Sequence, residues 1–169
     1  MARPWAIPGL AGLEHRVGGL EKEDNTGNVS YDSENHQHMT NVRQAKVDAI
    51  AESIPPIETF GDNNGSLLLV SWGGTYGSVR SAVVHAIANN LSVSHIHIRH
   101  INPFPKNLGE VLLKFENILI PELNAGQLSI ILRNKYLVDS IGLNKVEGKP
   151  FTTEEIYNKI LEIIGSNNA

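Results

Sequence analysis

Three groups of side chains carry most of the chemistry open to this sequence. The first is Gly73, Gly74, Thr75, Tyr76 and Gly77, a glycine-rich stretch between an apolar run and an amphipathic one. At a helix N-terminus, exposed backbone N–H groups and the positive end of the helix dipole hold phosphate or carboxylate. The stretch lacks the Lys-Ser/Thr of a phosphate loop and the glycine spacing of the dinucleotide fingerprint. Glycine is equally required for a tight strand-to-helix connection, so both readings stand. The second group is His95, His97 and Arg99, which alternate; a strand would place them on one face and His100 on the other. Two histidines at this spacing can share a metal ion, although no third ligand follows from the sequence, and they equally suit hydrogen bonding across a sheet or at an interface. His36 and His38 repeat the pair in a polar setting. The third group, Glu21, Glu23, Asp24, Asp32 and Glu34, crowds one polar segment. Paired carboxylates could do acid–base work, but a solvated or partner-facing acidic loop accounts for them as well. No serine sits in a nucleophile-elbow context.

Composition narrows the classes. Fourteen Lys+Arg against 18 Asp+Glu give a formal charge of −4. With a pI near 6.0 and no basic run, neither nucleic acid nor an anionic membrane is an expected partner. The chain has no cysteine, so it holds no disulfide, thiolate-ligated zinc or iron–sulfur centre of its own. Neither a secretory apolar core nor a bilayer-spanning run is present, and the expectation is a soluble, cytoplasmic protein. Its 169 residues suit one hydrophobic core plus an arm.

The elements that must position these groups follow from periodicity. Residues 1–39 are rich in Gly, Pro, Asn, Asp and Ser, with Trp5, Ile7, Leu10, Leu13, Val17, Leu20 and Val29 in neither period; they read as an extended arm that lies on another surface. Residues 40–169 read as an α/β domain. Val42, Ala45, Ala49 and Ile50 predict a helix over 40–54, with Thr40 as N-cap and Pro55-Pro56 as its stop. The Asn-Gly pair at 64–65 predicts a hairpin in which 57–60 runs antiparallel to 66–71. Leu67–Val70 is apolar on both faces, as in a strand covered by helices on either side. Val79, Ala82, Val83, Ala86 and Ile87 predict a helix over 75–90. Further strands are expected at 93–101, 117–121 and 137–143, with Trp72 at the sheet's carboxyl edge. Further helices are expected over 105–115, after an Asn124/Gln127 cap, and over 152–164 behind a Thr152/Glu155 capping box. Right-handed crossovers then give a mostly parallel sheet, antiparallel only in its first strand, in a three-layer α/β/α arrangement.

Three segments also carry a family resemblance. The arm with GLEHR, GGLEKED and TGNVSYD, the stretch HIHIRHINPFPKNLGEVL, and the stretch containing PELN and GQL resemble the C-terminal part of the α subunit of 2-oxoglutarate:ferredoxin oxidoreductase, also called 2-oxoglutarate synthase. The resemblance covers nearly the whole chain and implies a fold similar to the transketolase C-terminal domain. It implies an enzyme that oxidatively decarboxylates 2-oxoglutarate with coenzyme A to succinyl-CoA and passes the electrons to ferredoxin. It also implies that thiamine diphosphate, Mg and a 4Fe-4S cluster belong to other domains or subunits. The family's upstream Tyr-Pro-Ile-Thr-Pro and Arg-Gly-Gly-Pro-Ser-Thr-Gly-Leu-Pro-Thr segments do not occur here, so the expectation is a truncated α subunit or one domain of it, with no catalytic residue. Its expected role is structure and contact with the β subunit, or with a second copy. Leu20 and Tyr31 would anchor that contact, with Glu21, Glu23 and Asp24 at its polar rim. The alternative is a free-standing doubly wound domain that binds a small anion at the Gly73–Gly77 turn.

Overall fold

The computed structural model describes residues 5–15 and 18–166. Val17, counted above among the apolar residues of the arm, lies outside the described residues. The chain divides into two units, Met1–Ser53 and Ile54–Ala169.

In the first unit, helix α1 spans Ser33–Asp48 and passes into a 3-10 turn, Ala49–Ser53. The helix expected from Thr40 therefore starts seven residues earlier. Its N-cap is Asp32, whose carboxylate accepts a hydrogen bond from Asn35 N at 2.6 Å. The early start escaped the periodicity because residues 33–41 carry almost no apolar stripe. Side-chain chemistry holds this part instead. Asn35 donates to Lys22 O at 3.0 Å and accepts from Asp24 N at 3.2 Å. The preceding loop is closed by an antiparallel bridge between Lys22 and Val29.

The second unit is an α/β domain. Strands β1 (Gly65–Trp72), β2 (Val93–Ile98), β3 (Phe115–Glu122) and β4 (Ile141–Asn144) form one sheet in the order β2-β1-β3-β4, with every neighbouring pair parallel. Helices α2 (Tyr76–Ala88) and α5 (Thr153–Ser166) cover one face. The short α3 (Leu108–Leu112) and α4 (Gln127–Tyr136) cover the other. Alternation along β1 sorts the two cores. Leu68 and Val70 join Ile96, Ile98, Phe104, Leu112 and Leu128 on the α3/α4 side, whereas Leu67 and Leu69 join Val79, Val83, Ile156 and Ile160 on the α2/α5 side. The four residues Leu67–Val70 have no exposed surface, as their apolar run demands. Trp72 ends β1 at the carboxyl edge, as expected.

Several expected details are corrected. No hairpin joins 57–60 to β1, because β2 and β3 take both of its edges. Phe60 instead bridges antiparallel to His95 on the outer edge of β2, with both backbone bonds at 2.9 Å. Gly61 makes this routing possible. Its φ is +97°, and a Cβ there would lie 2.8 Å from Ser94 Oγ, which itself donates to Asp62 O at 2.8 Å. Strand β2 ends at Ile98, so the alternation does not extend through Arg99 and His100. The helix expected over 105–115 shrinks to the single turn of α3, and Phe115 opens β3. Strand β4 begins only at Ile141, since Leu137 takes a left-handed conformation (φ 55°) and is exposed.

Helix faces shift as well. Asn124 accepts from Gly126 N and Gln127 N at 2.7 and 3.0 Å, so it forms an Asx turn in front of α4 rather than a capping box with Gln127. Ile87, counted above on the buried face of α2, is exposed, as are Ile131 of α4 and Leu161 of α5, where helical spacing from Leu128 and Ile164 also predicts inward faces; Ile163 is turned inward near the end of α5. The Thr152/Glu155 box forms as expected, with Thr152 N to Glu155 Oε2 at 2.7 Å and Glu155 N to Thr152 Oγ1 at 3.1 Å.

The Phe60–His95 route is testable through its glycine. Gly61→Ala should destabilise the protein by about 1–3 kcal/mol in urea denaturation, from the strained backbone and the crowded Cβ. Gly74→Ala, at a position with nothing within 4 Å and no positive φ, should cost less than about 0.5 kcal/mol. Equal costs would show that the Gly61 turn is not under constraint.

Candidate functional site

Beside the edge strand β2 lies a cleft of about 530 Å³, bounded by Pro55–Phe60, the first turn of α2 and the end of β2. Its floor is polar because the α2/α5 side of the sheet changes character toward the carboxyl end. On that face Leu67 and Leu69 give way to Ser71, and Val93 to His95 and His97, so an apolar layer becomes a hydrogen-bonded one. Ser71, with no exposed surface, joins the two imidazoles: its Oγ lies 2.6 Å from His95 Nε2 and 2.8 Å from His97 Nδ1. A hydroxyl has one proton and two lone pairs, so it donates to at most one of the rings, or to Ile96 O at 3.5 Å while it accepts from both. In each arrangement Nδ1 of His95, a residue 1% exposed, is left without a partner.

Helix α2 supplies the wall. Tyr76 meets His97 edge-on with ring centroids 4.9 Å apart, and its ring lies 5.8 Å from His95. One turn further, the Arg80 guanidinium lies 3.6 Å from the Phe60 ring centroid and 5.5 Å from that of Tyr76. Arg80 Nε makes no hydrogen bond. Burial, then the charges of Arg80 and His97, push the His95 imidazole down to about 3. Burial, then Arg99 and Arg80, lower His97 as well. Both rings are therefore neutral at pH 7.

The expected division of His95, His97 and Arg99 on one face and His100 on the other is corrected here: all four line the cleft, because the chain leaves the sheet after Ile98. As for metal, no group of three His, Asp or Glu side chains able to hold an ion occurs among the described residues. Arg80 was missed by sequence reasoning. It looked like an ordinary polar position of an amphipathic helix, and only the return of Phe60 alongside β2 gives it an aromatic seat.

The Gly73–Gly77 stretch forms a 3-10 turn, Gly73–Thr75, leading into α2. Gly73 has φ +53°, and a Cβ on Gly73, Gly74 or Gly77 would meet nothing within 4 Å. Thr75 Oγ1 donates to Trp72 O at 2.9 Å and closes the turn on itself. Of the five residues only Tyr76 reaches the cleft. The turn lies where the connections leaving β1 and β3 diverge, the customary ligand crevice of a doubly wound sheet. There the structure places Glu122, another residue that sequence reasoning missed. Its carboxylate has no exposed surface and accepts from Leu128 N at 2.8 Å, Ser129 N at 3.2 Å and Trp72 Nε1 at 3.3 Å. A carboxylate of the chain itself thus occupies the positive end of α4.

Of the acidic group, Glu21, Glu23, Asp24 and Asp32 are engaged within the first unit. Glu21 takes both Arg43 Nη groups at 3.0 and 3.1 Å and His36 Nδ1 at 2.8 Å, and these partners hold its carboxyl down to about 2. Asp24 accepts from His38 at 2.9 Å, and Glu23 from Thr26 Oγ1 at 2.6 Å. Leu20 and Tyr31 are 47% and 87% exposed.

With this geometry in view, the comparisons with known proteins are specific. The chain is 47% identical over 157 residues to the 2-oxoglutarate oxidoreductase subunit KorA of Mycobacterium tuberculosis, an alignment that takes in 92% of this chain. The chain is homologous to that subunit. It is 27% identical over 152 residues, 85% of its length, to the α subunit of 2-oxoacid:ferredoxin oxidoreductase 1 of Sulfurisphaera tokodaii. The solved 2-oxoglutarate:ferredoxin oxidoreductase from Magnetococcus marinus, with 2-oxoglutarate, coenzyme A and succinyl-CoA bound, superposes with a TM-score of 0.86 at 29% identity over 95% of this chain and 28% of that one. The chain spans about a quarter of the length of the curated relatives it matches, 24% and 23% of the two named. No family model matches it. No helix among the described residues is long and apolar enough to cross a membrane.

The neutral His95 makes a pH prediction. Its folded-state value, about 3, lies below the ordinary 6.5, so the unfolded chain binds the proton first as pH falls. Stability should be unaffected by this group above about pH 7 and should decline below 6.5, approaching about 1.4 kcal/mol per pH unit. His95→Gln should flatten that decline between pH 6.5 and 5 in urea titrations. An unchanged slope in the variant would assign the decline to other groups.

Proposed function

We propose that this chain is the C-terminal α/β domain, or a truncated form, of the α subunit of a 2-oxoglutarate:ferredoxin oxidoreductase. Its role in that assembly is structural: it packs against the rest of the enzyme and contacts the β subunit. The 47% identity over 92% of the chain carries this reading, and the 0.86 superposition on an enzyme of that activity supports it. In the complete enzyme 2-oxoglutarate is decarboxylated with coenzyme A to succinyl-CoA, and ferredoxin takes the electrons. Thiamine diphosphate, Mg and the 4Fe-4S cluster belong to other domains or subunits. The residues here do not fit a cluster, since the chain has no cysteine thiolate to bind one.

On this reading the protein is cytoplasmic and the first unit is the contact arm, with Leu20 and Tyr31 as anchors. Glu21 and Asp24 fasten the loop to α1, Glu23 binds Thr26 within the loop, and the three form the rim of the contact. The arm reading extends from residue 39 to Ser53, because α1 runs unbroken across 39 and 40.

Mixing the chain with the matching β subunit should give a co-eluting complex in gel filtration, and removal of residues 1–53 should weaken it at least tenfold. The remaining 54–169 should keep its sheet signature in circular dichroism, losing only the contribution of α1. The isolated chain should not reduce ferredoxin with 2-oxoglutarate and coenzyme A. No association with the β subunit would overturn the contact role, and ferredoxin reduction by the chain alone would overturn the whole reading.

A further inference from the structure

The cleft beside β2 has a property that a packing surface does not require. Arg80 and Arg99 both line it, and neither has a carboxylate partner among the described residues. Arg80 is half-buried, and its guanidinium is held in place by the Phe60 and Tyr76 rings rather than by an anion. Arg80 Nε is buried and makes no hydrogen bond, a cost that something negative beside it would offset. In the same cleft the Nδ1 of His95, a residue as buried as the core, has no hydrogen-bond partner.

We propose that this cleft is a binding site for a small phosphate-bearing anion, gripped by Arg80 and Arg99 against the Ser71–His95–His97 network. The guanidinium fork matches the oxygens of a phosphate, and two permanent cations suit a dianion better than a monocarboxylate. Phe60, Tyr76 and the Pro55-Pro56 wall offer an apolar seat for the body of the molecule that bears the phosphate. Glu58 is the carboxylate that lines the cleft and disfavours anions there. The site shares only Tyr76 with the Gly73–Gly77 stretch, and it stands whether or not the chain is an oxidoreductase subunit.

The imidazoles add a pH signature. Lining the cleft with them are Arg80 and Tyr76 from α2, Arg99 and His100 from the segment after β2, and Glu58 from the segment before Phe60. The arginines help to keep both rings neutral. A bound dianion reverses the sign of the local field and draws protons onto the rings, so binding should tighten as pH falls.

The test uses the full chain, with inorganic phosphate and pyrophosphate as probes in calorimetry and sulfate as a dianion that does not titrate in this range. Pyrophosphate should bind saturably, and sulfate should bind at least threefold more tightly at pH 6 than at pH 8, with shifts in the imidazole proton resonances of His95 and His97. Arg99→Gln, at an exposed position, should weaken pyrophosphate at least tenfold without loss of fold. Arg80→Gln should do the same, Arg80→Lys should recover part of the loss, and Glu58→Gln should tighten binding. If Arg80→Gln fails to fold, Arg99→Gln and the histidine resonances carry the test. Absence of saturable binding, or binding that both Arg→Gln variants leave unchanged, would overturn the site. A tricarboxylate that binds as tightly as pyrophosphate would overturn the phosphate class.

Discussion

Every element of the second unit answers to one constraint: β1 is buried on both faces and paired on both edges. Leu67–Val70 have no exposed surface, β2 and β3 take the hydrogen bonds on either side, and two helical layers take the side chains. In a parallel arrangement those edges can be filled only through crossover connections, which puts α2 on one face and α3 and α4 on the other. At about 25 cal/mol per Å² of apolar surface removed from water, such a strand is where burial contributes most per residue. The rest of the sheet is arranged around keeping it dry.

The same constraint creates the polar end of the domain. A strand covered by helices must emerge at its carboxyl edge, and there its inward-facing positions cease to be apolar. On one side this yields Ser71 with its two imidazoles; on the other it yields Trp72 and the buried carboxylate of Glu122. The two groups use opposite means to satisfy buried polarity. Glu122 is charge-stabilised by the first N–H groups of α4, whereas the histidines stay neutral because burial and neighbouring arginines make protonation costly. One end of the sheet thus carries a carboxylate held by backbone N–H groups and, next to the edge strand, two uncharged imidazoles.

The first unit is held on different terms. It has little apolar surface to bury, so hydrogen bonds and ion pairs order it: Glu21 between Arg43 and His36, and Asn35 bridging Lys22 and Asp24. Exposed ion pairs contribute little each, so this segment is held by many weak polar contacts rather than by burial. Tyr31 and Leu20 accordingly stay exposed.

The sequence by itself determined the α/β class, the buried central strand, the strand–turn–helix passage at Trp72–Tyr76 and the Thr152/Glu155 box, because each depends on local periodicity or on residues a few positions apart. It also determined that the chain has no thiolate, and the arm, HIHIRH and PELN stretches carried the family resemblance that the 47% identity bears out. Only the tertiary structure decided which edge the 57–60 segment joins. The Asn-Gly pair is a hairpin signal only if the adjacent edge is vacant, and both edges of β1 were taken by strands distant in sequence. The early start of α1 was hidden because, apart from the Asp32 cap, the contacts that hold it are polar and lie 11 to 22 residues away. The cleft was hidden for the same reason. Phe60, Arg80 and the His95–Arg99 stretch come from three separate segments, and nothing in their spacing brings a guanidinium onto a ring; the packing of α2 against the end of β2 does that.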